Sequence, residues 1–253
     1  MERGKRIVES RKRRTENGKF SFSTLHFSLS TFNLFLLLAL SLPVFGQSDR
    51  TSDFGVILDA KYESGLVGKL DIEVEEELRF DHNCMQLDRW LNEVTLEYPF
   101  LHNRMHVGLT GGAIRRYNDK GYYENRARVG LDVTYAETYH RYKFTYRSRL
   151  MSTFRDERTG DYRVNPKLYW RNRFQVAYQR PNSRYKYSLS TELHWLLNDP
   201  RACIIDNIRT MFTVDYRLSR RQTLSLSARM DNDIQVKEPK DRFYLGFSYH
   251  FKN

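Results

Sequence analysis

The residues that could do chemistry in this 253-residue chain are carboxylates and guanidinium groups repeated at every second position. Acidic side chains alternate with apolar ones in one segment, and arginines do the same in several later segments. At this spacing the charged groups of a strand project from one face, about 6.5 Å apart. The candidates for a charged face are Glu73, Glu75, Glu77, Arg126, Arg128, Arg147, Arg149, Arg171 and Arg173.

An acidic wall opposite a basic wall has two interpretations. The walls could create a transverse field at a constriction that selects small charged solutes. They could instead form a buried ion-pair network that fills a narrow barrel, since charged side chains in a small lumen must pair to be tolerated. The sequence leaves both interpretations open.

A hydrolytic site would need a nucleophile, a base and an acid within hydrogen-bond reach of one another. Same-face neighbours on a strand are too far apart for direct bonding unless their side chains bend together, and the sequence lacks a nucleophile elbow and any metal-ligand spacing of its histidines. We expect no catalytic residue, no metal and no cofactor, with an outer-membrane hydrolase as the alternative function. The sets considered are Ser190 with Glu192 and His194, Ser248 with His250, and His140 with Ser148.

The N-terminal segment differs from everything that follows it. A basic stretch precedes the apolar run 32–42, and Pro43 with the small residues after it is typical of a signal-peptidase site before Gln47. We expect residues 1–46 to be a signal peptide with a long basic n-region and residues 47–253 to be one β-barrel domain. The run is too short for an ordinary spanning helix, although an N-terminal membrane anchor is the alternative.

The positive charge of the chain has two sources. The net charge is +11 and the pI is near 9.6, which first suggests nucleic-acid binding. Residues 1–46 contain 8 basic and 3 acidic residues, so a net charge of +6 remains after position 46. The remaining arginines recur with period two inside strands and do not cluster in a surface patch, so we expect no nucleic-acid partner.

The elements that position these charges are strands. Beyond Asp53 apolar residues recur with a period close to two over about eleven segments of roughly 10 to 15 residues. Their apolar side chains would overfill a soluble barrel, for which about eight strands suffice. Facing lipid, they form an apolar band with aromatic edges around a charged lumen. The sequence therefore predicts an all-β, transmembrane, antiparallel up-and-down β-barrel, with a secreted soluble β-barrel binding protein as the alternative.

The connections between the predicted strands alternate in length, which is a second indication of a membrane barrel. The short turns are expected at 64–68, 101–103, 137–138, 181–183 and 219–221, and the longer connections at 80–88, 118–121, 151–163, 198–205 and 232–240. Short turns of such barrels face the periplasm. Because bacterial barrels have an even strand number, we expect about 12 strands (10–12), unless residues 47–53 thread the lumen. Cys84 and Cys203 lie in outward connections and could form a disulfide across the mouth.

Several segments are similar to one family. The residues are Asp53-Phe54-Gly55, the acidic strand Leu70–Phe80, Leu87-Asp88-Arg89 and the closing segment Arg242–Phe251. They resemble those of the uncharacterised outer-membrane β-barrel proteins of Gram-negative bacteria that are grouped as a domain of unknown function. The resemblance spans most of the chain after the signal peptide and implies a barrel, without a substrate or catalytic residues. The last strand also resembles the aromatic-ended segment that the outer-membrane insertion machinery recognises, although Lys252 and Asn253 follow it.

These observations predict an exported protein of the cell outer membrane. We expect a monomeric barrel, either narrow and porin-like or structural, with a charge-paired lumen. Its expected partners are outer-membrane lipid, the insertion machinery and small charged solutes.

Overall fold

The computed structural model describes residues 51–118, 121–156, 165–200, 202–236 and 239–253. The predicted signal peptide, residues 1–46, lies outside the described residues. Eleven strands of 12 to 17 residues make up most of the described chain: β1 Thr51–Val67, β2 Leu70–Asp81, β3 Gln86–Phe100, β4 Met105–Tyr117, β5 Tyr123–Tyr139, β6 Tyr142–Arg155, β7 Lys167–Gln179, β8 Tyr185–Leu196, β9 Ile204–Arg217, β10 Gln222–Asp233 and β11 Lys240–Lys252. Among these residues no helix is long and apolar enough to cross a membrane.

The strands close into a single barrel in which each pairs with its neighbours in sequence. Successive strands are antiparallel, as the sequence predicts, but β1 and β11 pair in parallel from Thr51↔Lys240 to Glu63↔Lys252. An odd number of strands requires this, because the first and last strands of an up-and-down series of eleven run in the same direction. The described barrel therefore has eleven strands, within the expected range, and it closes without a twelfth. Residues 51–53 belong to β1 and do not thread the lumen.

The two faces of the barrel are inverted relative to a soluble protein. Large apolar side chains project outward, and Leu109, Phe174 and Leu131 are 58%, 58% and 53% exposed, whereas the inward-facing Asp132 and Glu192 are 2% and 3% exposed. This follows from the period of two, because alternate residues of a strand point to opposite faces of the sheet. The interior of the described barrel is thus polar and its exterior is apolar.

The connections alternate in length as predicted. At one end they contain 2, 4, 2, 5 and 4 residues, and at the other end they contain 4, 5, 11, 7 and 6. The sequence prediction of a turn at Glu137–Thr138 is wrong, because both residues lie in β5 and the turn falls at His140–Arg141, where His140 has φ 55°. The first turn likewise falls at Gly68–Lys69, after a register shift between Gly65 and Val67 that lengthens β1.

One inward tyrosine packs against the wall where β1 meets β11. Tyr244 is 4% exposed, and a Cβ added at Gly55 would lie 2.6 Å from its ring and collide with the Phe80 carbonyl oxygen. The ring also lies between the guanidinium groups of Arg79 and Arg229, whose carbons are 5.1 and 5.4 Å from its centroid. Glycine at position 55 therefore makes room for the aromatic ring where β1 pairs in parallel with β11, a region that we call the seam.

Candidate functional site

A cavity of about 510 Å³ lies inside the barrel. Its lining includes 13 arginines and 2 lysines but only 8 aspartates and glutamates, so basic residues exceed acidic ones by 7. The basic lining residues are Lys61, Arg79, Arg89, Arg116, Arg126, Arg128, Arg147, Arg149, Arg155, Lys167, Arg171, Arg173, Arg209, Arg229 and Arg242. The lining surface thus carries more basic than acidic side chains, although Asp88, Glu124 and Asp132 outside it also pair with Arg116, Arg126 and Arg149.

The residues that the sequence singles out mostly reach this cavity. Its lining includes Glu75, Glu77, Arg126, Arg128, Arg147, Arg149, Arg171 and Arg173, whereas Glu73 of the same β2 strand is not a lining residue. β2 carries the acidic residues, and β6 and β7 carry four of the arginines on the opposite side of the closed sheet. The acidic pair Glu75 and Glu77 therefore lies opposite these four arginines, although Arg79 on β2 and Glu192 on β8 also line the cavity.

Four arginines on β6 and β7, Arg147, Arg149, Arg171 and Arg173, form what we call the arginine cluster. The register places Arg147 opposite Arg173 and Arg149 opposite Arg171. Like charges directly opposite each other destabilise a pair of strands. The neighbouring strands must therefore supply negative charge, or the cluster must meet it in the lumen.

Glu192 on β8 is the main carboxylate partner of the arginine cluster. Its oxygens lie 3.1 Å from Arg147 Nη2, 2.8 Å from Arg171 Nη2 and 3.5 Å from Arg209 Nη1. Its side chain is 4% exposed, and His194 Nε2 is 3.3 Å away. One carboxylate thus serves three guanidinium groups. Among the described ion pairs, only Arg209 of these three has a second carboxylate, Asp231 at 2.9 Å.

Arg149 is bound from the other side of the cluster. It lies 3.1 Å from Asp132 on β5 and 3.2 Å from Glu93 on β3, and Glu93 also lies 2.8 Å from Arg128. Arg173 has no ion pair or hydrogen bond within the described part of the chain, and its Nε is buried without a partner. The cluster therefore contains one guanidinium group that the described protein leaves unpaired.

Most ion pairs among the described lumen residues join neighbouring strands, such as Lys61 with Glu75 at 2.8 Å and Arg242 with Asp233 at 2.7 Å. The pair between Arg149 and Glu93 is different, because it joins β6 to β3, which are three strands apart in the closed sheet. This pair therefore reaches across part of the lumen, while the others follow the wall.

A second cavity of about 500 Å³ lies at the end of the barrel with the longer connections. Its lining shares Arg116, Arg126, Arg155 and Arg242 with the central cavity. The two spaces therefore adjoin along a wall of arginines, and the positively charged lumen extends toward this end.

One known protein family matches most of the barrel sequence. A family described as Protein of unknown function (DUF2490) matches residues 55–237, which begin in β1 and end before β11. The chain belongs to the DUF2490 family. No curated protein matches the chain. All four residues of the arginine cluster and Glu192 lie inside the matched region of this DUF2490 protein.

The mouth of this DUF2490 protein contains a group of ligand-type side chains. Single ligand atoms of Asp53, Asp81 and His82 lie within 4.8 Å of one another. The Asp53 carboxylate accepts hydrogen bonds from the backbone N–H groups of His82 at 2.9 Å and Asn83 at 3.1 Å. His82 Nδ1 is 2.8 Å from Asp81, and this contact raises the pKa of His82 above its usual value. The group thus fastens the start of β1 to the β2–β3 turn, where residues 82–84 have positive φ angles.

Two histidines in the strands of the DUF2490 barrel lie beside carboxylates. His194 Nε2 is 3.3 Å from Glu192, and His250 Nε2 is 3.4 Å from Glu63. His140, which the sequence analysis considers together with Ser148, lies in the β5–β6 turn, whereas Ser148 lies in β6. No serine hydroxyl donates a hydrogen bond to a histidine ring among the hydrogen bonds of the described residues.

Cys84 and Cys203 of this DUF2490 protein are free thiols in the structure. Cys84 follows β2 and Cys203 precedes β9, which places the two connections on opposite sides of the closed sheet. A disulfide needs Cα atoms about 4.4–6.8 Å apart, whereas a closed sheet of eleven strands is on the order of 20 Å across. The structure therefore does not contain the disulfide considered from the sequence.

Several lumen residues are absent from the set of site residues chosen from the sequence. Glu93, Asp132, Arg209, Arg229 and Asp231 all lie inward and form ion pairs. Their positions follow the same period of two as the chosen residues, so their direction could have been predicted. Their partners could not, because strand register sets which charges meet.

Proposed function

We propose that this chain is an outer-membrane β-barrel protein that passes small anions through its lumen. The observation that carries the proposal is the cavity wall, in which 15 basic residues face 8 acidic ones and most ion pairs join neighbouring strands. A charge-paired network that filled the barrel would leave no such cavity. The preference for anions follows from the excess of guanidinium groups.

The apolar exterior supports a membrane location. Exposed aromatic side chains lie near both ends of the strands: Tyr62, Tyr98, Tyr139, Tyr142 and Tyr185 near the short turns, and Phe54, Trp90, Phe154, Trp170 and Phe243 near the longer connections. Phe54 and Tyr62 are eight residues apart on β1, which corresponds to about 20 Å of height at a tilt of about 40°. This height is close to the apolar band of outer-membrane barrels, about 25 Å.

Three aromatic hydrogen-bond donors on the outer face have acceptors there, which lowers the cost of placing them in lipid. Trp90 Nε1 donates to Glu76 at 3.0 Å, and Trp170 Nε1 donates to Ser148 at 2.9 Å. The Tyr146 hydroxyl donates to Asn172 at 2.7 Å. In these three pairs, a polar side chain accepts the hydrogen bond of an aromatic donor on the same face.

The alternating connections support an orientation. We infer that the short turns and the C-terminus face the periplasm and that the longer connections face outward. Residues 1–46 serve as the export signal in this proposal, and the insertion machinery recognises the aromatic end of β11. A closed barrel exposes no free strand edge, which supports a monomer.

Reconstitution in planar bilayers tests anion passage. We expect discrete conductance steps and, in a KCl gradient, a reversal potential that indicates chloride preference. Arg173→Glu should lower this preference because it reverses a charge in the lumen, whereas Arg220→Glu in the exposed β9–β10 turn serves as the matched control. If many insertions give no conductance, or if the conductance prefers cations, the proposal is wrong. The absence of conductance would favour a structural barrel.

Membrane fractionation tests the location independently. We expect the processed protein in the outer-membrane fraction and a gel mobility that changes when the sample is heated. A chain that stays soluble without detergent would instead support a secreted β-barrel.

A further inference from the structure

The arginine cluster holds more positive charge than its described partners neutralise. Glu192 is shared by three guanidinium groups, and Arg173 has no partner among the described residues. The Nε atoms of Arg147, Arg171 and Arg173 are all buried with no hydrogen-bond acceptor. Three N–H donors of one patch of wall are therefore left without an acceptor by the described protein.

Unpaired buried donors carry a cost. A guanidinium group removed from water is tolerated when an anion and acceptors replace its hydration. Arg147 and Arg173 are directly opposite each other across β6 and β7, so their repulsion adds to this cost. A negative ligand beside them in the lumen would reduce this repulsion.

The geometry also specifies the chemistry of such a ligand. Planar guanidinium groups bind oxyanions through paired N–H donors and do so more specifically than point charges. Three arginines on adjoining strands need a ligand with several acceptor oxygens and more than one negative charge. A cavity of about 510 Å³ is large enough for a small molecule.

We infer that Arg147, Arg171 and Arg173 form a binding site for a compact multivalent oxyanion inside the lumen. The inference rests on the proposed function, because the site lies in the same lumen. In the proposed function alone, anions are attracted by the overall positive charge of the wall. The inference adds one specific binding site to that wall. Arg173 is the main ligand because none of its nitrogen atoms forms an ion pair with a described carboxylate, although Glu192 lies opposite it in the β7–β8 register. Glu192 orients Arg147 and Arg171 through its ion pairs with both.

Binding measurements on the full protein, purified from membranes in detergent, test this site. Isothermal titration with inorganic pyrophosphate is the first arm, and glycerol phosphate is the second arm, which separates a free inorganic anion from a phosphate group on an organic solute. Sodium chloride at matched ionic strength controls for screening. We expect saturable binding of at least one phosphate compound at one site per barrel and none of chloride.

The variants Arg173→Gln and Arg147→Gln should each weaken this binding by about tenfold or more. Arg220→Gln should bind as the unchanged protein does, and heat-dependent gel mobility confirms that each variant has folded. Absence of saturable binding, or equal binding by Arg173→Gln, would overturn the site.

The bilayer experiment separates this inference from the proposed function. Chloride-selective conductance without phosphate binding would refute the site and leave the passage intact. Binding without conductance would support the site and refute the passage, making the barrel a binding protein.

Discussion

Replacing Glu192 with glutamine tests whether one carboxylate holds the basic wall together. The substitution keeps the size of the side chain but removes the charge that faces Arg147 at 3.1 Å and Arg171 at 2.8 Å. Neither arginine has another carboxylate partner among the described ion pairs, whereas Arg209 keeps Asp231. The variant therefore leaves two guanidinium groups, only 17% and 12% exposed, without a negative partner.

The expected cost follows from these contacts. A hydrogen bond to a charged group contributes about 1.5–3 kcal/mol, and removing one member of a buried ion pair costs about 3–5 kcal/mol. We expect the free energy of unfolding of Glu192→Gln to fall by about 3–5 kcal/mol, a large share of the roughly 5–15 kcal/mol typical of a folded domain.

Denaturant unfolding in detergent, followed by tryptophan fluorescence, measures this change. Glu137→Gln is the matched control, because Glu137 pairs with Arg104 at 3.2 Å where the two side chains are 41% and 62% exposed. An exposed pair contributes at most about 1 kcal/mol. If the two variants lose equal stability, Glu192 does not organise the cluster.

A double-mutant cycle measures the interaction energy between Glu192 and Arg147. Combining Glu192→Gln with Arg147→Gln removes both partners, so the double variant should be more stable than the sum of the single losses predicts. We expect an interaction energy of about 0.5–3 kcal/mol. Additive losses would show that the 3.1 Å contact contributes nothing.

Three further predictions concern the seam, the outer face and the mouth. Gly55→Ala should lower the free energy of unfolding by about 1–3 kcal/mol, because its Cβ would collide with the β2 backbone and an inward tyrosine ring; denaturant unfolding measures this. Leu131→Arg places a charge on the outer face and should cost about 2–4 kcal/mol and reduce membrane assembly, whereas Met85→Arg in the β2–β3 connection should assemble normally. The His82 ring should titrate above its ordinary pKa of 6.5 in an NMR experiment, and Asp81→Asn should lower that pKa, because the carboxylate favours the protonated ring.

Each of these three predictions can be contradicted by a specific result. Gly111→Ala is the control for the seam, since no atom lies within 4 Å of its added Cβ, and equal losses for both glycines would contradict the packing argument. Normal assembly of Leu131→Arg would argue against a lipid-facing surface. The His82 contact stabilises the fold below the unfolded pKa of about 6.5 and loses its effect as pH rises through the folded pKa, so an unshifted titration would contradict it.

The strands and the direction of their side chains follow from the sequence because both depend on a local rule. Alternation of period two puts Glu75 and Glu77 on one face of β2 and their apolar neighbours on the other. The excess of apolar volume then indicates which face lies inside, since a barrel of this size cannot hold those side chains.

The error at Glu137–Thr138 shows where the local rule fails. The polar pair has the composition of a turn, but β5 continues because Glu137 accepts a hydrogen bond from Tyr135 at 3.0 Å and pairs with Arg104 of the neighbouring connection. The backbone N–H of Ala136 also donates to the Arg104 carbonyl. The two contacts with Arg104 come from another part of the chain, so no local pattern predicts them.

The sequence by itself determined that this protein is a barrel of long amphipathic strands with charges on one face, because those properties depend on residue type and spacing. Only the tertiary structure decided that eleven strands close through a parallel β1–β11 pair, and that Glu192 serves three arginines while Arg173 has no described partner. The physical reason is that closure and register are properties of the whole sheet. A shift of register would give every arginine a different neighbour without altering the pattern along any single strand.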